Sequence, residues 1–240
     1  MSRAEFEPER RRSDSARAKG RLTFTRMDVI RAGTRLLDTE GVEKLSMRKL
    51  ANTLGTGSST LYWHVRDKDE LLLLILDETL REVTVPAAGT WDVRLLETLV
   101  RCHEALLPRP ALVDVLWRAA WELGPETLRV ADALVGLVAE SGLPDDEVGD
   151  SYMALITLLF GFVAGERTSP GNPRYSEARA EGETAGSVPP YPNLMRYAPG
   201  AGVQTMARQF RYAVERFITG IKLRVAEAEH ERAAGAPRSS

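Results

Sequence analysis

The feature of the sequence that most constrains its fold is a pair of short, apolar-patterned segments separated by only three residues, Gly55-Thr56-Gly57. Ser46 is a suitable N-cap for the first segment, and a tight, glycine-containing turn between two short helices is typical of a helix-turn-helix. The sequence therefore predicts this motif over about residues 46–65. The side chains expected to pack between its two helices are Leu50, Ala51, Leu54, Leu61 and Val65.

Helical periodicity continues on both sides of this motif. Thr25 and Asp28 can form a capping box for a preceding helix, and Asp67 can begin a following helix that runs through Leu80. After a break at residues 85–89, further helices are expected near 91–107, 110–122, 125–141, 145–166 and 203–229. Because no segment alternates in the manner of a strand, the predicted fold class is all-α, with a three-helix N-terminal domain and a C-terminal helical bundle.

The second helix of the motif carries many polar and aromatic side chains on the surface that faces away from Leu61 and Val65. They are Ser58, Ser59, Thr60, Tyr62, Trp63 and His64. Tyrosine and tryptophan each combine a flat apolar face with one hydrogen-bond donor, which suits a thymine methyl group or a phosphate. This surface favours double-stranded DNA as the partner.

The distribution of charge agrees with a DNA-binding N-terminal part. Residues 1–70 contain 15 Lys and Arg against 11 Asp and Glu, whereas the whole chain has a net charge of −2. A basic end attracts phosphates while the acidic remainder stays away from the duplex. The asymmetry is mild, so it supports the prediction without carrying it.

A run of residues in this region resembles the DNA-binding domain of the TetR family, of the tetracycline-repressor type. The run is Leu45-Ser-Met-Arg-Lys-Leu-Ala-Asn-Thr-Leu-Gly55, followed by Ser59-Thr-Leu-Tyr-Trp-His-Val65 and Asp67-Lys68. The resemblance covers about residues 24–80. Thr56 departs from it, because family members usually have an apolar residue in the turn. Ser58 and Ser59 replace larger contact residues, so the operator sequence cannot be carried over.

The resemblance implies a role for each matching residue. Arg48 would reach a base edge, most directly a guanine, and Tyr62 would contact both a phosphate and a base edge. The residues that would face bases or phosphates are Ser58, Ser59 and Thr60, and those that would contact the DNA backbone are Trp63, His64 and Lys68.

Two C-terminal segments predict a dimer. Residues 152–163 are apolar on every side, so a helix formed by them must be buried all round. The last helix has a clean apolar stripe, which must also be covered by a packing partner. We expect the two helices to form a four-helix interface with a second copy, and two DNA-binding helices to read a near-palindrome. The expected interface residues are Leu155, Leu159, Phe162, Phe210, Val214, Phe217, Ile218 and Ile221. A purely intramolecular core is the alternative.

Aromatic residues in the body suggest a pocket for a small apolar or aromatic ligand. The candidate lining residues are His103, Trp117, Trp121, Tyr152 and Phe160, with Trp91 and Phe162 as further possibilities, and each can equally be a core residue. Neither His103 nor His230 has neighbours at metal-ligand spacing. We therefore expect no metal, no other cofactor and no tetracycline.

Composition divides the chain into an arm, two domains and a tail. Residues 1–22 are charged and predict a disordered arm, and residues 23–70 form the DNA-binding domain. The body is expected over 71–229, with a mobile, proline-containing loop at 167–201. Residues 230–240 are expected to be a disordered tail.

Several classes of protein are not expected. A single cysteine, Cys102, rules out an internal disulfide framework and fits a reducing compartment. The longest apolar runs, 71–76 and 154–165, fall short of the roughly 20 residues that cross a bilayer. The charged N-terminal residues lead us to expect no secretory signal, and the sequence shows no phosphate loop and no nucleophile elbow. We therefore expect a cytoplasmic protein that is neither a membrane protein nor an enzyme.

These patterns together predict a repressor that a small ligand releases from a palindromic operator. One alternative is an activator, or a corepressor-dependent regulator, of the same fold. Another is a helical ligand-binding protein that does not bind DNA.

Overall fold

The structure, a computed structural model, describes residues 24–118, 122–168, 193 and 203–235. These ranges contain nine helices and no strand, which confirms the predicted all-α class. The helices are α1 (Arg26–Glu40), α2 (Met47–Thr53), α3 (Ser58–Leu61), α4 (Lys68–Arg81), α5 (Trp91–Leu106), α6 (Ala111–Arg118), α7 (Pro125–Ala139), α8 (Asp145–Thr168) and α9 (Val203–Ala233).

Side-chain caps begin α1, α2 and α4 at the predicted residues. Thr25, Ser46 and Asp67 each accept a hydrogen bond from the backbone N–H of the third residue of their helix. Gly41 and Gly55, which follow α1 and α2, have φ angles of 82° and 64°. This left-handed conformation favours glycine, and it ends each helix in a turn.

Helix α4 connects the two parts of the chain. It packs against α1 on one side and against α5, α6 and α7 on the other. We call α1 to α3, with the start of α4, the head, and α5 to α9 the body. The apolar core runs without a break from Val29 in the head to Ile221 in the body.

Several helix ends differ from the predictions; α7, for example, ends at Ala139 and not at residue 141. Helix α3 ends at Leu61 and continues as turns, rather than as helix through Val65. Helix α8 extends to Thr168, into the predicted loop, and α9 extends to Ala233, into the predicted tail. The end of α9 is rich in Ala and Glu, which are strong helix formers. The predicted arm at 1–22 and nearly all of the loop lie outside the described residues.

The faces of α8 and α9 correct the prediction of the dimer-interface residues. Six of the eight side chains are buried inside their own chain and leave no surface for a partner: Leu155, Leu159, Phe210, Val214, Ile218 and Ile221. Phe162 and Phe217 are half-buried. Because 152–163 is apolar on all sides, its sequence gave no indication of which side turns inward.

The opposite side of α8 is apolar and exposed. An 18-residue stretch within Asp145–Gly165 has a mean hydropathy of 1.5, and only 22% of that stretch is buried within the chain. The helix is long and apolar enough to span a membrane by length and composition alone, which the prediction from uninterrupted apolar runs missed. Since α8 packs against α5, α6, α7 and α9, it is an integral part of the body.

Candidate nucleic-acid interface and body cavity

Helices α2 and α3 form the predicted helix-turn-helix. Leu50, Ala51, Leu61 and Val65 are all buried between them, and Leu54 is half-buried. The backbone N–H of Thr56 donates to the carbonyl of Ala51 at 3.0 Å, which closes the turn. The apolar packing predicted from the sequence is therefore confirmed.

The outer surface of α3 and the turn after it present the predicted side chains to solvent. Ser58, Ser59 and Thr60 are exposed. Tyr62 is 53% exposed and Trp63 is 88% exposed. Tryptophan is usually well covered in a folded protein, so an indole this open is typical of a contact surface.

The other predicted contact residues are in different environments. Arg48 is exposed on α2. The ring of His64 packs on Phe24, with centroids 5.0 Å apart. Lys68 is half-buried, and its Nζ donates to the carbonyl of Val42 at 2.5 Å. This bond holds the loop between α1 and α2, a structural role that the sequence did not reveal.

A network of ion pairs supports the segment after α3. Glu70 accepts from the backbone N–H of Arg66 at 2.6 Å and from Arg26 at 2.7 Å. The guanidinium of Arg66 also pairs with Glu122 of the body at 2.6 Å. The i, i+4 spacing of Arg66 and Glu70 was a visible signal that the sequence reasoning did not use.

A second contact joins head and body on the other side of α4. Arg109 donates from Nε and Nη2 to the two carboxylate oxygens of Asp38, at 2.6 and 2.9 Å. Hydrogen bonding to Asp38 raises the pKa of Arg109, so the guanidinium stays protonated. The two residues are 71 positions apart, and no local pattern links them.

The body contains a cavity of about 280 Å³. Two of the predicted ligand residues, Tyr152 and Phe160, line it, together with Cys102, Leu123, Thr127 and Leu134. All of its described lining residues are uncharged. We call this space the body cavity. The side chains of Trp117 and Trp121, also predicted to line a pocket, lie outside the described part of the chain.

The polar groups around the body cavity remain neutral. Burial raises the pKa of the Cys102 thiol to about 12, and burial also raises the pKa of the Tyr152 phenol. The cavity therefore offers hydrogen bonds without charge, which suits an uncharged ligand.

His103, the remaining predicted ligand residue, faces a different direction. It is buried and stacks on Phe210 at 4.5 Å, and it is absent from the described lining of the body cavity. Its Nε2 atom has no hydrogen-bond partner among the described residues. Burial lowers the pKa of His103, which keeps its ring neutral near pH 7.

The described residues contain no group of three His, Cys, Asp or Glu side chains that could hold a metal ion. The expectation that the protein binds no metal remains a prediction.

The geometry of α2 and α3 defines the class of protein: the head is a helix-turn-helix unit. Residues 29–75 match the family described as bacterial regulatory proteins, tetR family, and residues 85–225 match the tetracyclin repressor-like C-terminal domain. The chain belongs to the TetR family of bacterial transcriptional regulators. The matching families and relatives are transcriptional regulators and not enzymes, which agrees with the prediction.

Curated relatives carry the same kind of description. An HTH-type transcriptional regulator of Saccharopolyspora erythraea is 31% identical over 168 residues, which cover 67% of this chain and 66% of that protein. The HTH-type transcriptional repressor DrrR1 of Streptomyces coeruleorubidus is 34% identical over 161 residues, 66% of this chain and 57% of that protein. The matched segment thus spans less than two thirds of either relative.

Solved structures share the fold over nearly their whole length. Apo ActR of Streptomyces coelicolor is 28% identical and has a TM-score of 0.70, with 85% of this chain and 98% of ActR covered. The complex of ActR with (S)-DNPA has a TM-score of 0.67 at the same identity, with 84% of this chain and 98% of ActR covered.

Proposed function

We propose that this chain is a cytoplasmic, homodimeric repressor that binds a near-palindromic operator through α3 and is released by a small uncharged molecule in the body cavity. The observation that carries the proposal is the exposed pair Tyr62 and Trp63, held on the outside of a well-packed helix-turn-helix. Two large aromatic side chains exposed at this position of a helix-turn-helix are suited to contact a DNA duplex.

The DNA contacts divide into two kinds. Arg48 would read a base edge, since it is exposed and makes no ion pair or hydrogen bond within the described part of the chain. Tyr62 would touch both a phosphate and a base. The residues that would face bases or phosphates are Ser58, Ser59 and Thr60. Those that would contact the DNA backbone are Trp63, His64 and Lys68.

A second copy of the chain would cover the exposed side of α8. This side forms an open apolar groove of about 690 Å³, lined by Met153, Thr157, Gly161, Phe162 and Met206. Gly161 is exposed and a Cβ there would meet nothing, so another helix can approach the α8 backbone closely. A dimer also explains how a one-turn helix reads enough DNA, because two such helices read two half-sites.

The dimer surface can be tested with a matched pair of glycines. Gly161→Arg in the groove is expected to give monomers in sedimentation equilibrium, since it places a charge in an apolar interface. Gly136→Arg is the control, because Gly136 is also an exposed helical glycine with open space around it. A Gly161→Arg protein that remains as dimeric as the control contradicts the proposed surface.

The uncharged lining of the body cavity supports the proposed release mechanism. ActR, a relative by structure, has been solved with the small molecule (S)-DNPA. The described lining of this cavity offers no carboxylate and no imidazole, so we do not propose a tetracycline–magnesium ligand. Movement of α4, which contacts both α1 and α7, would change the separation of the two α3 helices.

The decisive experiment is selection of bound duplexes from a random pool, with wild type and two variants. Wild type should enrich a near-palindrome whose half-sites lie about one helical turn, roughly 10 base pairs, apart. Trp63→Ala should lose most of this enrichment, whereas Tyr212→Ala, which removes another exposed aromatic side chain, from α9, should keep it. No enrichment by wild type at low salt would refute DNA binding and favour a helical ligand-binding protein.

The sign of regulation is a separate question. DrrR1 is named a repressor, which supports repression here. Activation, or a ligand that acts as corepressor, uses the same surfaces. Addition of a cavity ligand to the protein–duplex complex distinguishes ligand-released repression from corepression, because release requires the affinity of the protein for the duplex to fall when the ligand binds.

A further inference from the structure

The first turn of α7 is capped by a residue from another helix. The N-cap position is Gly124, which has no side chain to accept a hydrogen bond. Asp77 of α4 supplies the acceptor: its Oδ1 accepts from the backbone N–H of Thr127 at 2.9 Å and from the Thr127 hydroxyl at 3.1 Å. The carboxylate lies where a Cβ of residue 124 would be, so the glycine makes room for it.

This arrangement fixes the direction of the Thr127 hydroxyl. A hydroxyl has one proton to donate and two lone pairs that accept. The proton is directed at the Asp77 carboxylate, and a hydrogen bond to a charged acceptor is roughly twice as strong as one between neutral groups. What remains available on this oxygen is acceptor capacity only.

Thr127 also lines the body cavity. The other polar lining groups are less restrictive, because the Tyr152 phenol can donate or accept and the Cys102 thiol is a weak partner in either sense. Thr127 is therefore the lining residue whose hydrogen-bonding role is set by the fold.

We propose that Thr127 makes the body cavity selective for an uncharged, largely apolar molecule that carries a hydrogen-bond donor, such as a phenol or alcohol hydroxyl. This inference rests on the proposed function only in that the cavity binds a ligand. The ligand hydroxyl donates to Thr127 Oγ1, which donates to Asp77, and the chain of hydrogen bonds ends on α4. A ligand that can only accept leaves this oxygen unpaired and loses affinity.

The test compares two probes of nearly equal shape, 2-naphthol and 2-methylnaphthalene, titrated into the full-length protein without DNA and followed by probe fluorescence. In Thr127→Val the ratio of naphthol affinity to methylnaphthalene affinity is expected to fall about fivefold from its wild-type value, the factor expected for one net hydrogen bond. Thr127→Ser should keep the wild-type ratio. Affinity for methylnaphthalene should stay within about twofold in Thr127→Val, because valine and threonine side chains have nearly the same shape. Thr127→Ser lacks one methyl group, so it is judged by the ratio and not by the affinity for methylnaphthalene alone.

Tyr152→Phe is the matched control, because it removes the other hydroxyl among the described lining residues and leaves the Asp77 contact intact. The proposal is overturned if Tyr152→Phe, rather than Thr127→Val, lowers the ratio, if Thr127→Val leaves it unchanged, or if wild type binds neither probe. Since no duplex is present, a failure of DNA binding leaves this test unaffected, and a failure here leaves the duplex selection standing.

Discussion

Gly124 is the residue whose substitution most directly tests the contact between α4 and α7. A Cβ at this position would lie 2.7 Å from Oδ2 of Asp77 and closer still to Cγ and Oδ1. The backbone of Gly124, with φ −73° and ψ 166°, is accessible to alanine. Gly124→Ala therefore introduces a steric conflict with one carboxylate and no backbone strain.

The expected cost follows from what the carboxylate must give up. If Asp77 moves aside, α7 loses its cap, which costs about 0.5–2 kcal/mol, and the Thr127 hydroxyl loses a bond to a charged acceptor, worth about 1.5–3 kcal/mol. Alanine also lowers the conformational entropy of the unfolded chain, which stabilises the folded state by about 0.4–1 kcal/mol. We expect a net loss of about 2 kcal/mol, or roughly 4–8 °C in Tm for a chain of this size.

The assay is urea unfolding of four proteins at one concentration: wild type, Gly124→Ala, Asp77→Ala and the double variant. Without the carboxylate the new methyl group has room, so Gly124→Ala should be neutral or slightly stabilising in the Asp77→Ala background. The two substitutions should therefore be coupled by about 2 kcal/mol or more. If Gly124→Ala lowers the free energy of unfolding equally in both backgrounds, the steric argument is refuted, and with it the capping of α7 by Asp77.

Three further predictions address the DNA contacts, the head–body contact and pH. Arg48→Ala should cost about 1–3 kcal/mol of operator affinity and relax the base preference at one position of the operator. Lys68→Ala should instead weaken binding to all DNA sequences alike and make the affinity less dependent on salt. Identical behaviour of the two variants in competition binding would contradict this division of roles. Arg109→Met removes a bidentate pair with Asp38 in which the Arg109 side chain is only 22% exposed, so unfolding experiments should show a loss of about 1 kcal/mol, the upper end of the range for exposed pairs. No measurable loss would mean that the pair does not support the head. Burial lowers the pKa of His103 below its ordinary 6.5, so below pH 6.5 the unfolded chain binds a proton that the folded chain does not, and stability falls as the pH drops, by up to about 1.4 kcal/mol per pH unit. His103→Phe should make that pH dependence shallower between pH 6.5 and 5, and an unchanged slope would show that other groups cause it.

The parts of the fold that the sequence predicted well are those that depend on neighbouring residues. The caps at Thr25, Ser46 and Asp67 lie within three residues of the groups they bind. The two glycines that end α1 and α2 are recognisable because a left-handed turn favours glycine. The helix-turn-helix core was predictable for the same reason, since its apolar spacing is local.

The errors occurred where the answer depends on which elements meet. The apolar side chains of α8 run around the whole helix, so Leu155 and Leu159 were indistinguishable from the exposed Met153 until α9 was in place. His103 follows Cys102, which lines the body cavity, yet one step along a helix turns its ring towards Phe210.

Contacts between distant residues had no signal in the sequence at all. Asp77 and Thr127 are 50 positions apart, and their partnership depends on how α4 and α7 pack. No local pattern singles out Asp77 as a buried residue, although it is only 8% exposed. The need for a glycine at position 124 becomes clear only when the Asp77 carboxylate next to it is known.

In the proposed complex, two copies of α3 enter the same face of one duplex. The most direct test is to insert about five base pairs, half a helical turn, between the half-sites of the selected duplex. We predict that affinity falls to the level of a duplex with one half-site, and that a further insertion of similar length, which restores the full turn, recovers part of it. Equal affinity for all three spacings would contradict the account, because it would show that the two α3 helices are not held at a fixed separation.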